Sequence, residues 1–201
     1  NTTSMKMDNT AGTLSFAVTN DSNTWGTGPY LGTTAVHGGF PSSGDADHVP
    51  KYPLNFTPKG ETWIYIRFKL TGTSKGTGQN NATNVTPVIQ FTFLDKNAKA
   101  YQTDIAYTYK NDSYIVAAKN LTSKANACLA VSAIQAFYMR FRYIKGGTTG
   151  KVEIDYIYIG PKKADIPREG DVTAYESEVA ATVRSPQARN AYIDFTNSYQ
   201  D

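Results

Sequence analysis

The chain has 201 residues, enough for one domain with a hydrophobic core, and an all-β domain of this size is commonly a single unit. Charged residues make up 18% and the formal net charge is +3, which excludes a disordered polyelectrolyte and argues against a nucleic-acid partner, since such surfaces need clustered Lys and Arg. No stretch approaches the roughly 20 apolar residues of a membrane-spanning helix, so we expect no membrane insertion.

The residue usage favours strands and turns. Tyrosine is the predominant aromatic residue, at 14 against 2 tryptophans, and Thr, Asn and Gly are abundant. Tyr and Thr suit pleated strands, whereas Asn and Gly suit the turns between them. The single cysteine, Cys128, excludes an intrachain disulfide and a zinc site made of several thiolates. This composition is typical of an all-β extracellular domain and argues against helical bundles and nucleotide-binding α/β folds.

Alternation of apolar and polar residues predicts six strands. In chain order they are residues 13–19, 63–70, 88–94, 101–109, 137–144 and 151–159. The pattern places seven side chains in the core, namely Ile64, Ile66, Phe68, Phe91, Phe93, Phe141 and Ile154. Residues 151–159 are apolar on nearly both faces, as a central strand would be. Together these runs predict an antiparallel β-sandwich.

Turns and loops separate the predicted strands. A turn is expected at Gly146 and Gly147, and residues 71–87 read as a mobile, low-complexity polar loop. Residues 20–60 form a long Gly- and Pro-rich stretch, and long loops in compact domains are commonly functional or disordered. Only residues 123–136, which are rich in Ala, are compatible with a short helix.

The sequence becomes polar after Gly160 and Pro161, and this stretch resembles a linker. We therefore assign residues 1–163 to the β-sandwich module and residues 164–201 to a tail. About forty residues cannot form an independent core without disulfides or metal. The tail ends in an alternating apolar run at 191–195, which should add an edge strand, begin a further repeat or remain poorly ordered.

Three segments carry a resemblance to a known kind of repeat. They are PLNFTPKGETWIYIRFKLTG at 53–72, GKVEIDYIYIGPK at 150–162 and DNTAGTLSFAV at 8–18. They resemble repeats of large surface proteins from anaerobic Gram-positive bacteria, which are β-sandwich modules of the galactose-binding, carbohydrate-binding-module kind. The opening phrase of those repeats is similar to AYIDFTNSYQD at 191–201.

The resemblance implies a jelly-roll-like β-sandwich that binds sugar through its loops or a concave sheet. It implies an extracellular or cell-surface location in bacteria, with neighbouring domains in a longer chain. It also implies that a structural calcium ion is sometimes present. By this resemblance Asp155, on the last predicted strand of the module, would bind calcium together with Asp8 and Asn9, since hard oxygen ligands suit this ion. The alternative for Asp155 is a carboxylate that accepts hydrogen bonds from loop amides.

Glu153 and Asp155 share one strand face, because side chains repeat every two residues. The pair resembles part of the E-x-D-x-x-E strand of laminarinase-like glycosidases. The position of the third acid is held by Ile157 or Tyr158, so the pair of carboxylates that hydrolysis needs is incomplete. We therefore predict that the chain is not an enzyme, and a glycoside hydrolase is the least favoured reading.

The aromatic residues predict a sugar site, because sugar rings stack their apolar faces on Trp and Tyr while nearby polar groups take the hydroxyls. The six predicted carbohydrate-binding residues are Trp25, Tyr30, Tyr101, Tyr107, Tyr138 and Arg140. Core packing or cross-strand pairing is the alternative for the strand tyrosines, and a structural loop anchor is the alternative for Trp25. Trp63, at a strand start, reads as structural.

The sequence therefore predicts a non-catalytic module that recognises a polysaccharide or oligosaccharide within a larger extracellular protein. The alternative is a structural or adhesin spacer repeat that uses the same β-sandwich as a stalk.

Overall fold

The computed structural model describes most of the strands and the turns between them. The described residues are 6–8, 13–18, 30–31, 57, 60–78, 82–97, 99–129, 134–163 and 191–193. Of these, 6–8, 30–31, 136 and 191–193 are described by their backbone only. These residues form antiparallel strands in two sheets, with one short helix, α1 (Thr122–Leu129), which begins one residue before the range 123–136 where the sequence allowed a helix. The predicted all-β character is confirmed.

Ten strands are present in the described part of the chain. They are β1 (Lys6–Asp8), β2 (Thr13–Ala17), β3 (Tyr30–Leu31), β4 (Trp63–Lys75), β5 (Val88–Leu94), β6 (Ala100–Ala106), β7 (Tyr114–Asn120), β8 (Ala136–Arg142), β9 (Ile144–Gly160) and β10 (Ala191–Ile193). The larger sheet has the order β1-β2-β9-β4-β7, with β10 also paired to β9. The smaller sheet has the order β3-β8-β5-β6.

Side chains from both sheets pack into one hydrophobic cluster. The ring centroid of Phe141, on the smaller sheet, lies 4.9 Å from that of Phe68 and 5.8 Å from that of Phe16, both on the larger sheet. All seven residues predicted for the core are 0% exposed, so that prediction is confirmed. Each such side chain contributes roughly 1.5–3 kcal/mol by its removal from water.

Strand β9 is the centre of the larger sheet. One edge pairs with β4, and the other pairs with β2 over residues 151–154 and with β10 over residues 157–159. Both faces of the strand are buried near its end, where Tyr156 and Tyr158 are each 1% exposed. The prediction of a central strand for 151–159 is confirmed.

Two local predictions are wrong. Residues 71–75 belong to β4 and pair with β9, where they were expected to form a mobile loop. The hydroxyl of Tyr109 donates to the backbone oxygen of Thr73 at 2.7 Å, and such long-range partners cannot be seen in a polar sequence. Gly146 and Gly147 lie inside β9, and the chain passes from the smaller to the larger sheet at Tyr143, between β8 and β9, where φ is 62°. Gly146 is needed in the strand because a Cβ there would overlap the backbone of Val18.

The chain segment predicted as a tail contributes a strand to the larger sheet. Residues Ala191–Ile193 form β10, in line with β2 on the same edge of β9. Residues 164–190 lie outside the described residues, so the boundary at 163 stays a prediction. Within the described segments, no helix has the length and apolar character needed to cross a lipid bilayer.

Candidate functional site

The outward face of the smaller sheet carries a group of polar side chains. Successive residues of a strand point to opposite faces, so the buried Phe91 and Phe93 leave Gln90 and Thr92 on the outward side of β5. Strand register then defines two rows. Gln90 lies between Asp104 and Arg140, and Thr92 lies between Gln102 and Tyr138. We call these six residues the polar face.

Two hydrogen bonds connect the three strands across the polar face. Arg140 Nε donates to Gln90 Oε1 at 2.6 Å, and Gln102 Nε2 donates to Thr92 Oγ1 at 3.2 Å. Gln90 is 7% exposed and Thr92 is 0% exposed, so both need such partners. Three of the four outer members of the rows reach solvent, since Gln102 and Asp104 are exposed and Arg140 is half-buried. The face therefore offers hydrogen-bond donors and acceptors together.

Three of the six predicted sugar-binding residues come together here. Tyr138 and Arg140 share the outward face of β8, and the β3–β8 register pairs Tyr30 with Tyr138. Tyr138 is 0% exposed, so its ring lies beneath the surface, and Arg140 is the member that a ligand can reach. Trp25 lies outside the described residues.

The structure places Tyr101 and Tyr107 in the hydrophobic core, where they are 8% and 6% exposed. The Tyr107 ring meets Phe68 edge to face, with ring centroids 5.0 Å apart. Burial raises the pKa of the Tyr107 hydroxyl far above its usual range, and the neighbouring Tyr109 adds to the rise. These positions favour the core-packing alternative for both tyrosines, because a soluble ligand cannot reach them in this arrangement.

The two described residues predicted for calcium lie on different strands of the larger sheet, Asp155 on β9 and Asp8 on β1. Asp155 lies at a bulge of β9, and its carboxylate forms an ion pair with Arg67, which is 1% exposed. A cation bound there would share the carboxylate with this guanidinium. Asp8 lies on β1 opposite Thr13, with β2 between it and β9, and Asn9 is outside the described residues. In the part of the chain that the structure describes, no group of three or more His, Cys, Asp or Glu side chains gathers.

Both carboxylates of the predicted pair, Glu153 and Asp155, form ion pairs with neighbouring cations. Glu153 Oε1 lies 3.6 Å from Lys69 Nζ, and Glu153 also forms an ion pair with Lys151. Together with the Arg67–Asp155 pair, these contacts involve five charged side chains of the larger sheet, three cationic and two anionic.

The outward face of the larger sheet is aromatic. Residues that alternate with the core positions of β4 and β9 form a tyrosine cluster of Tyr65, Tyr156 and Tyr158, with Trp63 and Val116 packed against it. Beside it, the guanidinium carbon of Arg67 lies 3.8 Å from the centroid of the Tyr114 ring. Burial raises the pKa of the Tyr114 hydroxyl, the Asp155 carboxylate raises it further and Arg67 opposes the rise.

Sequence reasoning overlooked four residues of the polar face, namely Gln90, Thr92, Gln102 and Asp104. The signal for two of them was present, because Gln90 and Thr92 interrupt an otherwise apolar strand at period two. A polar residue repeated on one side of such a strand marks a face that needs hydrogen-bond partners. The identity of those partners depends on the register with β6 and β8.

In comparisons with known proteins, no protein-family model matches the chain, and no curated protein or solved structure matches it either.

Proposed function

We propose that the chain is a non-catalytic carbohydrate-binding module that holds a polysaccharide or oligosaccharide on the polar face. The observation that carries this proposal is the row formed by Asp104, Gln90 and Arg140 across three strands, with Arg140 fixed by its hydrogen bond to Gln90. A sugar hydroxyl both donates and accepts hydrogen bonds. A carboxylate and a guanidinium held in one row, with the exposed Gln102 amide beside them, match both requirements.

We infer that the two sheets form a jelly-roll β-sandwich. The pairing order supports this, because β2 pairs with β9, β3 with β8, β4 with β7 and β5 with β6. Such nested pairing arises when one long antiparallel hairpin is rolled into two facing sheets. Jelly rolls occur in lectin domains, although a fold alone does not determine a function, so the proposal depends on the polar face.

The proposed setting is an extracellular or cell-surface protein of a bacterium, in which this module is joined to neighbouring domains. The Tyr-, Thr- and Asn-rich composition and the resemblance of residues 53–72 and 150–162 to bacterial surface repeats support it. Affinity should be modest, in the micromolar to millimolar range, or about 4–8 kcal/mol, because a short oligosaccharide buries little area.

Affinity electrophoresis against starch, mannan, xylan and β-glucan tests the proposal. We expect the wild type to be retained by at least one polysaccharide and Arg140→Ala to lose that retention. Arg142→Ala is the matched control, since Arg142 lies on the same strand and face but opposite Val88, outside the polar rows. Gln102→Ala changes an exposed residue and keeps the Arg140–Gln90 hydrogen bond, while it removes the donor to Thr92, so its melting temperature is compared with that of the wild type.

A wild type that is retained by none of the four polysaccharides and binds no sugar on a glycan array would contradict the proposed function. Equal retention of the wild type and of folded Arg140→Ala and Gln102→Ala variants would remove the polar face as the site. Release of sugar from any of the polysaccharides would revive the glycosidase reading.

We also propose that calcium, where it is bound, has a structural role and involves Asp155. An ion that binds only the folded state stabilises it by about 2.7 kcal/mol at a hundredfold excess over its dissociation constant. The expected result is a higher melting temperature in calcium chloride than in a chelator, and no rise in an Asp155→Asn variant. An equal melting temperature of the wild type in both buffers would contradict it.

A further inference from the structure

Trp63 is held in a fixed orientation on the outward face of the larger sheet. It is the first residue of β4 and is half-buried. Its indole Nε1 donates to Glu61 Oε1 at 2.8 Å, and its ring lies nearly parallel to that of Tyr65, with centroids 6.0 Å apart and an interplanar angle of 22°. A side chain fixed by a hydrogen bond and a ring contact loses little entropy when a ligand binds.

The surroundings of Trp63 leave part of its ring accessible. Its cross-strand neighbours are Asn120 on β7 and Gly160 on β9, and glycine has no side chain that could cover the indole. The ammonium of the exposed Lys162 lies over the ring, 5.2 Å from its centroid, so a ligand that stacks on this face would displace the lysine side chain from it. By contrast, the rest of the aromatic cluster is buried, and Tyr65 and Tyr158 are 7% and 1% exposed.

Exposed polar groups surround the ring. Glu61, Asn120 and Lys162 are all exposed. Asn120 Nδ2 donates to Glu61 Oε1 at 3.4 Å, so the carboxylate that holds the indole also holds the amide. The three side chains provide an anionic acceptor, an amide that both donates and accepts, and a cationic donor.

This combination matches a sugar ring better than a purely apolar ligand. One face of a pyranose is apolar and stacks on an indole, while its hydroxyls point sideways to hydrogen-bonding groups. The opposite charges of Glu61 and Lys162 leave the surroundings of the ring without net charge, which suits a neutral polyhydroxylated ligand.

We propose that Trp63, with Glu61, Asn120 and Lys162, forms a stacking subsite for one neutral pyranose ring. The inference depends on the proposed carbohydrate-binding function but uses a different surface from the polar face. The two surfaces are the outward faces of different sheets that share one core, so a single sugar ring cannot contact both. The module would then hold two segments of polysaccharide, and its avidity would exceed the affinity of either surface.

Single-tryptophan variants test the subsite directly, since the chain has only Trp25 and Trp63. In Trp25→Phe the emission comes from Trp63 alone, and titration with the oligosaccharide of whichever polysaccharide retains the wild type should give a saturable change. In Trp63→Phe the emission comes from Trp25. Titration with the same oligosaccharide should not give the dependence on oligosaccharide concentration that Trp25→Phe shows. Trp63→Ala should weaken retention in affinity electrophoresis by about tenfold, which corresponds to 1.4 kcal/mol.

Lys162→Ala is a second test of the subsite. It keeps the indole of Trp63 in place, and Lys162 is exposed, so the fold should tolerate this substitution. We expect a severalfold weakening of retention, with an unchanged melting temperature. The matched control is Arg142→Ala on the opposite sheet, which should bind as the wild type does.

The outcomes separate the two proposals. If the wild type binds a polysaccharide while Trp63 emission in Trp25→Phe stays constant at saturation, and Lys162→Ala is retained like the wild type, the subsite is overturned and the polar-face proposal stands. If the wild type binds no carbohydrate, the proposed function fails and the subsite fails with it. A saturable Trp63 signal together with weakened Trp63→Ala and Lys162→Ala variants supports the subsite.

Discussion

The hydroxyl of Tyr107 is buried and has no hydrogen-bond partner among the residues that the structure describes. The ring itself is well packed, with its centroid 5.0 Å from that of Phe68 and 6.5 Å from that of Phe141. Tyr107→Phe removes the hydroxyl and keeps these ring contacts. We therefore expect the substitution to raise the free energy of unfolding.

The size of the effect follows from two opposing contributions. A buried hydroxyl without a partner costs about 1–3 kcal/mol, which the substitution recovers. The packing lost with one oxygen atom is that of a nearly volume-conserving change, at under about 1.5 kcal/mol. The net stabilisation should be about 1 kcal/mol, which corresponds to a rise in melting temperature of roughly 2–4 °C for a chain of this length.

The same substitution should have a larger effect at alkaline pH. Burial holds the pKa of the Tyr107 hydroxyl in the folded protein above its ordinary value of about 10, and Tyr109 adds to this rise. Because the pKa is raised in the folded protein, Tyr107 ionises first in the unfolded chain. Its ionisation therefore leaves the free energy of unfolding unchanged below pH 10 and lowers it as the pH rises above that value. The advantage of Tyr107→Phe should therefore grow by about 1.4 kcal/mol per pH unit above pH 10.

Urea and thermal unfolding of both proteins at pH 8 and at pH 11 measure these differences. Tyr109→Phe is the matched control, because its hydroxyl donates to the backbone oxygen of Thr73 at 2.7 Å. That substitution should destabilise by about 0.5–1.5 kcal/mol. A loss of 1 kcal/mol or more in Tyr107→Phe at pH 8 would refute the reasoning, since it would mean that the hydroxyl makes a useful hydrogen bond.

Three further perturbations have expected outcomes. Asp155→Ala removes the carboxylate that pairs with the buried Arg67 and should cost about 3–5 kcal/mol by urea unfolding, and an unchanged midpoint would argue against a native ion pair. Gly146→Ala should lower the melting temperature strongly, because its Cβ would overlap the backbone of Val18. Gly147→Ala has open space around it and should be nearly neutral, so similar melting temperatures of the two variants would contradict this packing. Deleting residues 164–201 removes β10 and exposes part of the edge of β9, so the shortened chain should self-associate in analytical ultracentrifugation, and a strictly monomeric product would count against the pairing.

The strands with clean alternation could be predicted from sequence, and those without it could not. In β4 the apolar residues Ile64, Ile66 and Phe68 recur at period two, and the structure buries all three. Strand β7 (Tyr114–Asn120) escapes this prediction, because apolar residues occupy both of its faces and two of its seven residues are Ala, a weak strand former. Its strand conformation depends on pairing with β4, a partner more than forty residues away.

The candidate site could be predicted only in part. Alternation on β8 places Tyr138 and Arg140 together, and alternation on β5 places Gln90 and Thr92 together. That Arg140 donates to Gln90 could not be predicted, because the residues are 50 positions apart and a shift of one residue in register would move either side chain to the other face. The exposure of aromatic residues also required the structure, which leaves Trp63 half-exposed and buries Tyr138.

The sequence by itself determined that this protein is built from antiparallel strands and which side of each alternating strand faces the core. Those properties follow from the local period of side chains along a strand, which every residue carries with it. The tertiary structure decided which strands are neighbours, where Gly146 must lack a side chain, and which polar groups meet on the polar face. Those properties depend on contacts between residues far apart in the chain, and the same local pattern is compatible with many such arrangements.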